Sequence, residues 1–243
     1  MSRRIKIRIA YDGGGFHGWQ VQPGLPTIQG LLEQVAGEIE GKAVHVAGSG
    51  RTDAGVHALA QVAAFTLDNP IPLPNLRRAM NRLLPPAVRI LSVEEAHPEF
   101  HPRFDARAKT YEYRILRDEV CSPFEWPFVH HYPYPLQEEA MCRLAGVFAG
   151  EHDFTAFAAS DDSDQEGRSK VRTVFSSTLE RPPGRLIYRV RGSGFLKHMV
   201  RNLVGTLIEA GKGNIADLSA LPEKSGPTAP AKGLFLVEVE YGE

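Results

Sequence analysis

Cysteine is scarce: Cys121 and Cys142 are the two in 243 residues, they stand far apart, and neither has a CxxC partner. That excludes a disulfide framework and a thiolate zinc site, and leaves buried free thiols as the expectation. Long apolar runs are missing as well. The opening MSRRIKIRIAYD holds no hydrophobic stretch able to serve as a signal or a membrane span, so a cytoplasmic protein with no membrane association is expected. An excess of either charge is also absent, since 28 Lys and Arg against 29 Asp and Glu leave a formal net charge of −1. A protein that coats nucleic acid indiscriminately is thereby excluded, and any polyanion must meet a local patch. With 42% hydrophobic and 23% charged residues, the composition is that of an ordinary globular chain of one large or two small domains.

What is there is charge sorted along the chain. Basic clusters lie in SRRIKIR, LRRAMNRLL, HPRFDARAKTYEYR and FLKHMVRNLVG, and acidic ones in VEEAH, QEEAM and DDSDQEG. Each cluster alone reads as a solvated face; together they allow a basic groove.

Hydrophobic periodicity gives the organisation. Ile5, Ile7, Ile9 and Tyr11 alternate with Lys6, Arg8 and Ala10, as in a strand with one buried face. Ile28, Leu31, Leu32, Val35 and Ile39 repeat at helical spacing behind Thr27, a suitable N-cap. Strands AVHVAGS and ALAQVAAFTL, a helix NLRRAMNRLL and a strand AVRILSVEE complete a β-α-β-β-α-β order. In the second half, a strand with Tyr111, Tyr113 and Ile115 on one face, the helix PLQEEAMCRLAGVFAG, the strands VRTVFSSTLER and RLIYRVRGSGF, the helix LKHMVRNLVGTLIEAG and the strand LFLVEVEY repeat it. The expected fold is α+β: two tandem ferredoxin-like (split β-α-β) units, residues 1–105 and 106–243, with antiparallel sheets, helices on one face and a cleft between the units. HPEFHPRFDARAKT reads as the linker, and AASDDSDQEGRSK as a polar loop inserted in the second unit.

Three motif matches fail on context. GGGFHG, residues 13 to 18, fits G-x-G-x-x-G after a strand, but WQVQPGLP follows where a dinucleotide fingerprint needs a helix at once. Asp162, Asp164, Glu166 and Gly167 match four places of an EF-hand loop, but Thr173 stands where the bidentate glutamate belongs. His97 and His101 are separated by Pro98 and lack an acidic third ligand at suitable spacing. No metal is implied.

The stretch GSGRTDAGVHA, residues 48 to 58, withstands the same scrutiny. Gly48, Gly50 and Gly55 permit a tight backbone between two strands, and in an extended segment Arg51 and Asp53 project to the same side. A carboxylate among small residues is open to a ligand, and a nearby cation would keep it ionised. On spacing alone, a structural Arg/Asp turn pair is the better fit. In FLKHMVRNLVG, Phe195, Leu196, Met199, Val200, Leu203, Val204 and Leu207 form an apolar stripe, with Lys197, His198, Arg201 and Asn202 on the opposite face. Were that face to line the cleft, Arg201 would supply the carboxylate's partner.

Taken in order, YDGGGFHGWQ, GRTDAGVHA, RFDARAKTYEYRI, FLKHMVRNLVG and APAKGLFLVEVEY resemble the TruA family of tRNA pseudouridine synthases across nearly the whole chain. Gly14 departs from the threonine or serine usual in the first of these motifs. The resemblance implies that Asp53 is the catalytic aspartate, that Tyr111 packs its ring on the target uracil, that Arg51 holds the flipped nucleotide and that Arg201 pairs with the aspartate. It further implies an isomerisation without cofactor or metal, a homodimer, and tRNA as partner, with target uridines 38, 39 and 40 in the anticodon stem-loop. A uridine stacked in an RNA arm must be extruded before its glycosidic bond can be reached, and an aromatic face replaces the lost stacking.

Two other readings stay open on the residues. Paired ferredoxin-like units also suit a non-catalytic RNA-binding protein, although a carboxylate in a polyanion groove is poorly explained by binding. An enzyme that cleaves glycosidic bonds outright would use similar chemistry, but would want a second carboxylate that this loop lacks.

Overall fold

The computed structural model describes residues 2–159 and 169–242. The expected polar loop therefore lies largely outside the described residues, as do most of the EF-hand-like positions. Contacts divide the chain into two compact units: Met1–Arg107 with Phe235–Glu243, and Ala108–Leu234. The architecture is α+β, with mostly antiparallel strands and, among the described residues, four α-helices. No helix among them is long and apolar enough to cross a membrane.

In the first unit, β1 (Arg3–Tyr11) pairs antiparallel with both β3 (His57–Leu67) and β4 (Val88–Ala96). Its alternation is realised: Ile5, Ile7 and Ile9 are wholly buried and Arg8 is exposed. Helix α1 (Ile28–Glu40) begins ten residues after the glycine-rich loop, which is why that loop is no dinucleotide fingerprint. Thr27 caps it by accepting from the Gly30 N–H at 3.3 Å, and Gly41 ends it in the left-handed conformation at φ 79°. Helix α2 (Leu73–Leu83) starts two residues before NLRRAMNRLL because Pro74 is tolerated in a first turn, where its missing N–H is not needed.

Two expectations for this unit differ from the structure. Of AVHVAGS, only β2 (Ala47–Gly48) pairs with β3. The main chain of Val46 is taken by α1 instead: its N–H donates to Glu33 and its carbonyl accepts from Gln29, both at 3.1 Å. The final strand β10 (Leu234–Tyr241), counted above with residues 106–243, goes almost entirely with the first unit. Its Phe235 and Leu236 run parallel to His57 and Ala58 of β3, and Phe235 stacks on the His57 ring at 4.8 Å.

In the second unit, β5 (Ala106–Leu116), β9 (Arg185–Gly192), β8 (Val171–Glu180) and β7 (Gly150–Asp153) are successive antiparallel neighbours, with β6 (His130–His131) parallel to β5. The short β6 and β7 have no counterpart in the sequence reading. The register sets Tyr111, Tyr113 and Ile115 opposite Val190, Tyr188 and Leu186, and all six are buried. Tyr113 and Tyr188 keep their hydroxyls satisfied on the Pro230 carbonyl and Ser177, each at 2.8 Å. Helices α3 (Glu138–Val147) and α4 (Met199–Gly211) belong to this unit. Both cysteines are free and half-buried, short of the full burial expected.

Helix α4 is buried on nearly every side. A Cβ added at Gly205 would stand 1.7 Å from the Pro227 carbonyl oxygen, so this mid-helix glycine is a packing requirement. Gly205→Ala is expected to destabilise the protein by about 3 kcal/mol, the upper end of overpacking costs. Chemical denaturation of the purified variant checks this, and an unchanged midpoint would show that the backbone can give way.

Candidate active site

The segment from Gly50 to Val56 leaves the sheet after β2 and returns at β3. Along it Arg51 is exposed, Thr52 buried and Asp53 half-buried, which is the alternation expected of an extended stretch with one side inward. Its seat is the loop of residues 12–19 that follows β1. The Trp19 N–H donates to the Thr52 carbonyl at 3.0 Å, the Gly55 N–H to the Phe16 carbonyl at 3.3 Å, and the Val56 N–H closes a turn on the Asp53 carbonyl at 3.1 Å.

These contacts exist because the opposing residues are glycines. A Cβ at Gly13 would lie 2.0 Å from the Val56 oxygen, and one at Gly18 would lie 2.5 Å from the Thr52 oxygen, at a φ of 85° that L side chains avoid. Gly48 likewise leaves room for the Trp19 indole, whose ring atoms lie 2.4 Å from where its Cβ would stand. Below the segment, the buried Tyr11 hydroxyl bonds Thr52 Oγ1 at 2.8 Å, and burial pushes the Tyr11 phenol up to about 12. His57, wholly inside, receives the Gly13 N–H on Nδ1 at 3.1 Å, with Asp12 Oδ1 equally distant.

Tyr111 and Arg201 belong to the second unit. Tyr111 sits on β5, 8% exposed, with its ring edge-on to Phe195 at 5.2 Å. Its strand neighbour Glu112 points to the other face and is gripped by two guanidinium groups, Arg114 Nε at 2.8 Å and Arg189 at 2.5 Å. Burial alone pushes the Glu112 carboxyl up, but the hydrogen bonds and charges of Arg189 and Arg114 outweigh it and hold the group below its ordinary value. Arg201 is half-buried in the first turn of α4, where its Nε donates to the Ala229 carbonyl at 2.8 Å and its own carbonyl accepts from the Ala229 N–H at 3.2 Å.

The polar face expected on FLKHMVRNLVG is not what forms. The helix begins at Met199, so Lys197 lies outside it, and His198 occupies the N-cap at φ 62°, the one non-glycine residue with positive φ among those described. Asn202 turns inward, donating to the Phe157 carbonyl and accepting from Thr228 Oγ1, each at 2.7 Å. Of the four, Arg201 alone keeps a helical, half-buried position. The left-handed His198 carries no signal in composition or spacing; a strained non-glycine backbone is visible only in three dimensions. Among the described residues, no group of three or more His, Cys, Asp or Glu is placed to hold a metal ion.

A family model described as tRNA pseudouridine synthase matches residues 7–105 and 144–242. The chain is 76% identical over 239 residues to the tRNA pseudouridine synthase A of Solibacter usitatus, covering 98% of this chain and all of that protein. It is 42% identical over 246 residues to the protein of that name from Brevibacillus brevis, at 98% and 100% coverage. It is 43% identical over 250 residues to that from Limosilactobacillus fermentum, at 98% and 96%.

A depressed carboxylate stabilises the fold above its unfolded pKa, and that contribution drains away as pH falls through the lower folded value. Glu112→Gln is therefore expected to flatten the loss of stability below pH 4.5, the ordinary value of the group. Urea titrations at stepped pH check this; equal acid slopes in the two proteins would remove Glu112 from the account.

Proposed function

The chain belongs to the tRNA pseudouridine synthase family, and on that footing we propose that Asp53 is the residue on which its isomerisation of uridine turns. Membership makes the protein an isomerase whose substrate is tRNA. In the reaction the bond from ribose C1′ to uracil N1 breaks, the base turns while held, and C1′ joins C5. The C5 hydrogen leaves as a proton and N1 gains one. An ionised aspartate serves either as nucleophile at C1′ or as base toward the sugar.

The observation that carries the assignment is the seat of Asp53. Its carboxylate is half-buried on a segment of small residues whose main chain is tied to the 12–19 loop before and after it, so a substrate can reach it and find it in one place. Arg51, two residues earlier and exposed, is the cation we assign to the flipped nucleotide. Tyr111 is assigned to stacking on the target base; its edge contact with Phe195 fixes the ring orientation such a role needs. Arg201 is assigned as the cation that keeps the carboxylate ionised, and its bond to the Ala229 carbonyl limits where the guanidinium can go.

The finer architecture follows the same reading. The first unit has the order β-α-β-β-α-β with strands β4, β1, β3 and β2 side by side, and β5, α3, β8, β9 and α4 follow suit in the second, which supports two tandem ferredoxin-like folds. The family likeness further supports a cytoplasmic homodimer and, as targets, uridines 38, 39 and 40 of the anticodon stem-loop.

The test uses tRNA carrying tritium at uracil C5. The wild type is expected to release tritium to water, while Asp53→Asn binds tRNA nearly as tightly and turns over at least ~10³-fold more slowly. Substantial release by the purified variant would count against Asp53.

A further inference from the structure

We infer that Gln61 is a positioning residue for Asp53, acting through the main chain of the loop and not through contact with substrate. The inference rests on the assignment of Asp53 as the catalytic group.

Strand β3 reads HALAQVAAFTL, and Gln61 is its one amide, 0% exposed among apolar neighbours. Burying an amide is costly unless its hydrogen bonds are made. Gln61 donates through Nε2 to the Gly50 carbonyl at 3.0 Å. Its Oε1 accepts from Ser49 Oγ at 2.6 Å and from the Val62 N–H at 3.1 Å. These are three of the four hydrogen bonds that a primary amide can make.

The destinations of those bonds give the network its meaning. Ser49 and Gly50, four and three residues before Asp53, are both held directly by this one side chain. Ser49, like Gln61, is 0% exposed, and Gly50 is half-buried. A methionine would fill the same core volume but leave the Ser49 hydroxyl and the Gly50 carbonyl without their amide partner, which lowers stability; what only the amide supplies is the placement of Ser49 and Gly50. Since a misplacement of about 1 Å at a reacting group costs on the order of 10²-fold in rate, this is where the loss would show.

The experiment measures kcat and KM for tRNA by tritium release with the full chain, well below its melting midpoint, for wild type, Gln61→Met, Ser49→Ala and Asp53→Asn, with circular dichroism on each. Gln61→Met is expected to keep a native spectrum and a KM within about twofold, while kcat falls by about 10²-fold. Ser49→Ala, which removes the arm to Ser49 and leaves the one to Gly50, is expected to lose less, about tenfold. A lowered melting temperature with wild-type kcat would mark a merely structural amide and overturn the inference. Should Gln61→Met fail to fold, Ser49→Ala decides: unchanged kcat in it overturns the inference, and a selective fall in kcat supports it. An active Asp53→Asn would remove the premise, whereas an inactive Asp53→Asn beside a fully active Gln61→Met would remove this inference alone.

Discussion

Two stretches of main chain in the first unit approach so closely that no side chain fits between them, and the place of Asp53 depends on that approach. Val56 and Thr52 present their carbonyls where a Cβ on Gly13 or Gly18 would otherwise stand. The Trp19 and Gly55 amides close the contact. Main chain against main chain is a stiff join, because neither partner has a rotamer to change. A carboxylate carried on such a segment inherits its fixity, which is what a reaction that breaks and remakes a bond at one carbon requires.

The same economy of means recurs in the second unit. Gly205 and Gly226 let α4 and the segment of residues 226–229 touch backbone to backbone, and the Gly226 N–H caps Thr206 Oγ1 at 2.8 Å. Asn202, buried like Gln61, bonds the Phe157 carbonyl and Thr228 beside the residue that anchors Arg201. Each unit thus has a buried amide bonded to a residue close to a charged group assigned to chemistry, Gln61 to Gly50 beside Arg51 and Asn202 to Thr228 beside the Ala229 that holds Arg201. Their apolar surroundings strengthen each bond and make its loss expensive.

Legibility in the sequence followed the range of the interaction. The alternation of Ile5, Ile7 and Ile9, the cap at Thr27 and the paired face of Tyr111, Tyr113 and Ile115 are local patterns, and each appears in the structure as read. The candidate loop was visible because small residues around a lone Arg and Asp are themselves a local signal. What escaped was set at long range. Gln29 and Glu33 of α1 take over the main chain of Val46 and shorten β2. Phe157 and Thr228 draw Asn202 inward, against a helical wheel that set it beside Arg201. The last strand pairs with His57 and Ala58, more than 170 residues away, and no periodicity announces its partner. Gln61 carries no local signal within ALAQVAAFTL; its meaning lies in Ser49 and Gly50, which only the fold brings to it.

The most direct measurement is the turnover of Gly18→Ala. A Cβ there meets the Thr52 oxygen at 2.5 Å in a backbone conformation unsuited to alanine, so the loop must shift while every group assigned to chemistry stays in the protein. The account predicts a folded enzyme that binds tRNA with nearly wild-type affinity and releases C5 tritium about 10²-fold more slowly. Wild-type turnover in a folded Gly18→Ala would contradict it, for the backbone seat would then not be what places the aspartate.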